Sequence, residues 1–580
     1  MLLEKLCEYS KRLELAPPMY IKTRIRWILD LDPGGNLLGF IATSSGETGR
    51  KDRGKEFQAP HTGRSSGVAA KLLADNAEYV LGIPRTKSKT ERVAECHQDF
   101  VKLVRACAET TGEVAVKAVL SFLENLDTES LALPDNFEPA DLLTFRVDGT
   151  LPIDLDSVKE FWASRAATDE PEEGATQHAD VLRQCLICGR ARPAVKRLPF
   201  KIKRIPGGQS AGNALISANV PAFESYGLEA SLIAPTCREC GERFSKALNS
   251  LIEEPATHVR IDPTLYVFWT KEERGFNVGS LLQNPEAEEV RALISSAFAG
   301  QSSPAGLDPT PFYAAALSAS GSRVAVRDWI DTTVGNAKKN LSRYFLLQRI
   351  VERDGSEGRP IGLYALAAST VRDARRELPP NVPKALLNVA LSGGPLPASL
   401  LFDAVKRNRA EQSVTRPRAA LIKMVLLSQT GWDLEENMER LDATKSSPGY
   451  LCGRLMAVLE AVQYAALPGL NATITDRFFG TASSAPASVF PRLIRGAQAH
   501  LTRLRKEKRG TYEALQRRLE EIMAMLPAFP KVLTLEQQGL FSLGYYHQLA
   551  ANRAARIAAK EAKERGQIEN SDQEGGKENA

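Results

Sequence analysis

Cys185-Leu-Ile-Cys188-Gly189 is answered by Cys237-Arg-Glu-Cys240-Gly241, with 48 residues between Cys188 and Cys237. A two-residue spacer lets both thiolates of a pair face one ion, and the following glycine eases the tight turn. Two such pairs complete a tetrahedral set, so Cys185, Cys188, Cys237 and Cys240 read as ligands of a structural zinc. The alternative is two reduced pairs with no ion; a redox role calls for one pair and not two. A closed four-thiolate site has no open coordination position and is structural, not catalytic. The insert between the pairs is longer than a simple ribbon needs, so the cysteines are expected to pin the base of a small subdomain.

Inside that subdomain no acidic residue occurs from Arg183 to Phe223, whereas Arg183, Arg190, Arg192, Lys196, Arg197, Lys201, Lys203 and Arg204 are cationic. Charge runs on solvated faces usually mix signs, and a long run without counter-charge fits phosphate contacts. Phe200-Lys-Ile-Lys203 alternates, so a strand there sets Lys201 and Lys203 on one face. Next comes Pro206-Gly-Gly-Gln-Ser-Ala-Gly-Asn213, whose small residues let backbone amides approach a ligand. It lacks the Lys-Ser/Thr of a phosphate-binding loop and does not match Gly-x-Gly-x-x-Gly.

Outward from this segment, 580 residues exceed a single core, and roughly two to four domains are expected. The apolar fraction of 43% and charged fraction of 25% are those of an ordinary globular protein. Net charge is only +5, so the distribution of charge carries more information than its sum. No apolar run reaches the ~18 residues of a membrane span. Met1 to Ser10 reads as an amphipathic helix and not as an export signal, which makes the cytoplasm the expected compartment and a disulfide framework unexpected. Cys7, Cys96, Cys107 and Cys452 stand singly and read as buried apolar residues.

Tyr20 to Asp30, a Pro33-Gly34-Gly35 turn and Leu37–Ala42 form a hairpin pattern. Ser44 to Gly67 reads as a long exposed loop, and helical periodicity follows at 67–82 and 89–127. Tyr266–Trp269 and Ser322–Trp329 read as strands, while 164–179 and 301–310 read as loops. From 331 onward nearly every segment is helical, with breaks at Pro379-Pro380, Gly393-Gly394-Pro395, Ser447-Pro448-Gly449 and Pro527–Pro530. The expected fold is α+β: a mixed N-terminal domain with small sheets (1–163), a linker (164–180) and a basic zinc-knuckle subdomain (181–330). An all-α part follows, divided into a helical domain (331–455) and a C-terminal bundle (456–565), with a disordered tail (566–580).

Gly208-Gln-Ser-Ala-Gly-Asn-Ala-Leu-Ile-Ser-Ala-Asn219 with Ala222-Phe-Glu-Ser-Tyr-Gly227 resembles the signature of the large subunit of the type I-C CRISPR effector complex, Cascade. The resemblance extends through Gly63–Gly67 with Asp75–Gly82, Val267–Trp269, Arg323–Trp329 with Lys339-Asn340, Asn471–Phe479 and Gln538–Gln548. Members often lack one or both cysteine pairs, which makes zinc a local stabiliser. The resemblance implies an antiviral-defence role in an RNA-guided assembly. A guide RNA ribonucleoprotein with backbone and repeat-cleaving subunits reads the target by base pairing. The large subunit reads a short protospacer-adjacent motif in double-stranded DNA, promotes R-loop formation and steadies the displaced single strand. It also docks the helicase–nuclease.

On that reading, Lys51, Arg53, Lys55, Arg64, Lys71 and Asn76 in the N-terminal domain are candidate DNA contacts. Lys201, Lys203, Arg204, Gln209, Ser210 and Asn213 in the knuckle subdomain join them. Basic stretches at His500–Arg509, Arg517-Arg518 and Asn552–Arg565 read either as a second nucleic-acid surface or as solvated helix faces. The bundle resembles the small subunit made in such loci from an internal start, for which Met456 is better placed than Met438. No catalytic constellation is recognisable: there is no phosphate-binding lysine loop, no His-Glu-x-x-His, no Gly-x-Ser-x-Gly and no histidine cluster. The chain is therefore expected not to be an enzyme, the alternative being a stand-alone zinc-containing nuclease or nucleic-acid-modifying enzyme.

Overall fold

The structure, a computed structural model, describes residues 2–575 apart from 48–51, 63–66, 87, 168–181, 273–275, 302–307 and 430–437. It divides into two units, Met1–Glu253 with Ser318–Ala325, and Glu254–Leu317 with Val326–Ala580. Among the described residues no helix is long and apolar enough to cross a membrane.

The first unit contains, in order, α1 (Leu2–Ser10), β1 (Tyr20–Ile25), β2 (Trp27–Leu31), β3 (Leu37–Ala42), β4 (Lys55–Pro60), β5 (Ala74–Asn76) and α2 (Ala77–Val80). Then come α3 (Thr90–Thr111), α4 (Val114–Glu124), β6 (Leu142–Val147), α5 (Asp156–Ala167), β7 (Leu182–Gln184), β8 (Ala191–Pro193) and α6 (Arg238–Glu253). A four-stranded sheet runs β3-β2-β6-β5. β2 and β3 form the expected hairpin, whose Gly35 adopts φ +89° and would press a Cβ to 2.6 Å from the Ala118 carbonyl. β6 lies parallel to β2, with Asp30 opposite Arg146, and a parallel pair needs a crossover, here carried by α2–α4. Arg146 forks onto Asp30 with two 2.8 Å contacts. Trp27, Leu29, Leu31, Leu143 and Phe145 fill the core with Phe100, Val104 and Phe122 from the helices.

Three sequence expectations need correction here. The long loop at 44–67 contains β4, antiparallel to β1 with Tyr20 opposite Pro60; Phe57 and Ala59 turn inward among lysines and glutamates that mask the alternation. Residues 67–82 are extended before the short α2, because carboxylates take the amides a helix would use. Asp75 accepts from Lys71 N and Asn76 N at 2.9 and 2.8 Å, and Asp99 from Ala70 N at 2.7 Å. The helix expected at 89–127 breaks at Gly112, which caps α3 in the left-handed conformation at φ +70°.

The second unit begins with β9 (His258–Ile261), β10 (Thr264–Thr270), α7 (Val278–Gln283), α8 (Ala287–Gln301), β11 (Pro311–Ser320) and β12 (Arg323–Thr333), a sheet ordered β12-β11-β10-β9. β10 is buried throughout. Helices follow: α9 (Val334–Gln348), α10 (Leu363–Ala368), α11 (Ala374–Glu377), α12 (Asn381–Ser392), α13 (Ala398–Glu411) and α14 (Arg416–Gln429). The bundle closes with α15 (Pro448–Ala466), α16 (Ile474–Ala482), α17 (Pro486–Glu507), α18 (Arg509–Ala524) and α19 (Leu535–Gly575). α15 and α19 touch backbone to backbone. A Cβ on Gly449, Gly453 or Gly544 would sit 2.3, 2.0 or 2.1 Å from the carbonyls of Gln537, Phe541 and Tyr450. Between them lie buried polar pairs: Tyr450 Oη with His547 Nδ1 at 3.0 Å, and Arg454 Nε donating to Gln548 at 3.2 Å.

The α+β fold with a helical C-terminal part is as expected, but its subdivision differs. Position 456 falls inside α15, and 330 inside β12. Residues 164–167 continue α5, and the rest of the linker segment lies outside the described residues. The expected disordered tail is helical to Gly575, continuing α19; 576–580 lie outside the described residues.

Candidate functional site

β7 and β8 form a hairpin whose turn is the first cysteine pair. Gly189 (φ +70°) donates to the Cys185 carbonyl at 2.9 Å, and Cys185 N donates to Arg190 O at 2.9 Å. The second pair opens α6, with Gly241 N donating to Cys237 O at 3.0 Å. The four sulfurs lie within 4.8 Å of one another, three of the residues being buried. Bonds of about 2.3 Å around a tetrahedral ion make edges of about 3.8 Å; Cys188 and Cys237 stand 3.9 Å apart. The set therefore fits a metal ion, and zinc is compatible with it. Hydrogen bonding with Cys240, then burial, pushes the Cys237 thiol up to about 12, and a cation reverses that by binding thiolates. Cys7, which reads as a lone apolar residue, packs on this cluster and donates to Cys240 O at 3.6 Å.

Beside the knuckles a cavity of about 910 Å³ is walled by β1, the 196–203 segment, residues 209–219 and α6. Lys201 and Lys203 are exposed on its wall, and Phe200 and Ile202 point inward. The alternation is real, but only one bridge, Ile202 to Asn213, makes it strand-like. Asn249 of α6 holds the segment, donating to Lys201 O at 3.0 Å and accepting from Lys203 N at 2.9 Å. The run without acidic residues is partly neutralised from elsewhere in the unit. Arg192 meets Glu239 and Lys196 meets Glu229, both at 2.6 Å, and Arg204 lies 3.7 Å from Glu253. Among the described residues Lys22, Lys201 and Lys203 line the cavity with no carboxylate partner. His61 stacks on Phe200 at 4.9 Å. Burial first, then the charges of Lys71 and Lys203, lowers its pKa to about 4, so the imidazole is neutral at pH 7.

The glycine-rich stretch folds around Asn213. Its Oδ1 accepts from Gln209 N and its Nδ2 donates to Gly321 O, both at 3.0 Å. A Cβ on Gly208 would come 2.3 Å from that Oδ1. Asn213 is thus a brace, 1% exposed, and not an amide free to read a base. Asn76 is likewise buried and caps α2, accepting from Glu78 N at 3.0 Å. Lys71, Lys201, Lys203 and Gln209 gather on the cavity. Arg204 and Ser210 are exposed nearby in the chain without lining it, and Arg53 and Lys55 are exposed at the start of β4, outside it. Lys51 and Arg64 lie outside the described residues. Lys22, His61 and Asn249 were not read from sequence; only Lys22 had a signal, its outward position in the alternation of β1. Beyond the cavity, Ser225 to Leu228 form a tight turn with φ +54° at Tyr226 and +69° at Gly227, leaving Tyr226 98% exposed.

In the helical unit some cations of the basic stretches are paired one turn along their own helix: Arg503–Glu507, Arg509–Glu513, Arg517–Glu521 and Lys560–Glu564. Met456 is fully buried in the middle of α15, so a product starting there would lose Gly449 and Gly453, whereas one starting at Met438 keeps the whole helix.

The family model described as CRISPR-associated protein (Cas_Csd1) matches residues 4–552. The chain belongs to the Cas_Csd1 family. It is therefore a CRISPR-associated Cascade large subunit, a structural subunit by family. No curated protein matches it. The Cas_Csd1 match spans both units, so the knuckles, the basic cavity and the bundle as far as residue 552 of α19 fall within it.

Proposed function

We propose that this chain is the large subunit of a type I-C Cascade and binds duplex DNA at the protospacer-adjacent motif through the basic cavity of its first unit. The observation that carries the reading is the convergence of Lys22, Lys201 and Lys203, without carboxylate partners among the described residues, on one cavity beside the Gln209 loop. Lysines in this state release counterions when they meet phosphates, which makes binding strong and salt-dependent. Gln209, exposed on the loop that Asn213 braces, carries an amide able to read an adenine edge.

Arg53 and Lys55 extend the phosphate-contacting surface along β4. In the assembled complex the chain promotes R-loop formation, steadies the displaced strand and docks the helicase–nuclease; guide RNA, backbone and repeat-cleaving subunits are its partners in the cytoplasm. It has no catalytic role of its own, and zinc on the four cysteines fastens the β7–β8 hairpin to α6. Small-subunit copies come from its own C-terminal region, starting at Met438 or Met456.

The test is a mobility-shift titration of the assembled, guide-loaded complex on duplexes with and without the adjacent motif. Gln209→Ala should narrow the preference for the motif. Equal binding of both duplexes by the unaltered complex would sink the proposal. Metal-dependent cleavage by the isolated chain would favour the nuclease alternative.

A further inference from the structure

A second cavity, about 470 Å³, lies wholly within the helical unit, and nothing in the reading above uses it. Its lining comes from α15, α19, Thr473 before α16, and the turns at Arg353 and Ser413-Val414. Arg353, Arg553 and Arg556 are exposed at its edge, and among the described residues none has a carboxylate partner. Arg503, Arg509 and Arg517 of α17 and α18, by contrast, are each paired with a glutamate one turn along the same helix. The single carboxylate in the lining, Glu460, is engaged: it accepts from Tyr545 Oη at 2.8 Å and from Thr473 Oγ1 at 3.2 Å. Accepting hydrogen bonds does not cancel a carboxylate's charge, so three arginines against one carboxylate leave net positive charge at the cavity.

Two further features share the cavity. Tyr464 exposes 53% of its surface, with the Arg556 guanidinium 5.8 Å from its ring centroid. Asn552, only 3% exposed, accepts from Arg518 at 3.0 Å and from Gln548 at 3.1 Å, while its Nδ2 is buried without a partner. An unsatisfied buried donor costs free energy that a ligand's acceptor would recover. An inorganic anion would satisfy the arginines and leave Tyr464 and Asn552 unused. A neutral aromatic molecule would do the reverse. A molecule carrying both a phosphate and a planar ring with acceptors uses all three.

We propose that this cavity binds a nucleotide unit. The phosphate lies on the side of Arg353, Arg553 and Arg556, the base stacks on Tyr464, and Asn552 Nδ2 donates to an acceptor on the base or sugar. Its volume lies in the range of small-ligand sites. The unit is either one nucleotide of a single strand or a free mononucleotide. Arg553 and Arg556 stand just past residue 552, where the family match ends, and the rest of the lining falls within it. It does not depend on duplex binding by the first unit.

The test uses the full chain with two probes: a fluorescein-labelled oligothymidylate of about a dozen nucleotides, read by anisotropy, and thymidine monophosphate, read by calorimetry. Tyr464→Ala should weaken binding about 5-fold or more, as loss of one stacked base does, while Tyr464→Phe should retain it. An Arg553→Ala/Arg556→Ala double variant should weaken binding and flatten its salt dependence. Both sets of positions are solvent-facing, and unchanged thermal melts will show that the variants fold. Binding of the oligonucleotide alone supports the strand source; comparable occupancy by the monophosphate supports the free-nucleotide source. If neither probe binds, or if binding is indifferent to both Tyr464→Ala and the arginine pair, the proposal is overturned. Duplex binding by the same variants is measured in parallel, and its persistence or loss bears only on the first unit.

Discussion

Replacing Lys201 and Lys203 together by alanine is the sharpest probe of the basic cavity. Both side chains are exposed, and the segment carrying them is held through its backbone by Asn249, so the substitution leaves that anchor in place. Neither lysine has a carboxylate partner among the described residues, so each is expected to release about one counterion per phosphate met. The slope of log affinity against log salt should then become shallower by about 1.8, or about 0.9 for each lysine. Between 50 and 200 mM salt a difference of that size amounts to about 12-fold in relative affinity. Lys196→Ala is the internal comparison: its ammonium already faces Glu229 at 2.6 Å, and its removal should change the slope by less than one lysine's share. The assay is fluorescence anisotropy of the assembled complex on a labelled duplex across that salt range. Parallel plots for the unaltered and doubly substituted complexes would refute the reasoning. So would a change for Lys196→Ala as large as that for the pair.

Other substitutions test the framework around the sites. Cys185→Ser should reduce bound metal from one ion per chain to none and open the β7–β8 hairpin to protease, with the melting of the helical unit unchanged; mass spectrometry and limited proteolysis read both. His547 is buried and its pKa is lowered to about 3, by burial first and the Lys423 charge second. The unfolded chain therefore takes up this proton below about 6.5 while the folded chain refuses it. Its stabilising contribution is complete above that pH and falls by at most about 1.4 kcal/mol per pH unit toward pH 3. His547→Gln should remove one proton's worth of that slope in denaturant titrations across the window. Gly453→Ala should lower the melting temperature by the equivalent of about 1–3 kcal/mol, because its Cβ meets the Phe541 carbonyl. Gly496→Ala on α17, with open space around it, should be neutral or stabilising. Tyr226→Asn should stabilise the first unit by up to about 1 kcal/mol in thermal melts, since asparagine accepts φ > 0 more readily than tyrosine.

The four-cysteine cluster was legible because its pattern is written in local spacing: two residues between thiols and a glycine after each pair. The β2–β3 hairpin and the buried β10 were legible for the same reason, period and turn lying within a few residues. What escaped was set by distant partners. Asp75 and Asp99 take backbone amides that periodicity assigned to a helix. Asn213 looked like a recognition amide because Gly321, its partner 108 residues away, leaves no mark in the loop's own sequence. Likewise the window from Arg183 to Phe223 lacks acidic residues, yet Glu229, Glu239 and Glu253 return some of the missing charge in three dimensions. The helix break expected at Ser447-Pro448-Gly449 is where α15 begins, while the close approach made by Gly449 and Gly453 leaves no mark in the local sequence. Their role appears only when α19 lies against them.

α19 has a mechanical corollary. Among the residues of α19 whose burial is described, Asn552 is the last buried one, and 555–562 are exposed along the helix that continues to Gly575. At 1.5 Å per residue, the distance from Asn552 to Gly575 is about 35 Å. A dye or affinity handle placed near that end rides on a lever: a tilt of about ten degrees at Asn552 sweeps the tip through about 6 Å. Energy-transfer distances taken from such a handle would report the swing of the arm before any rearrangement of the bundle beneath it.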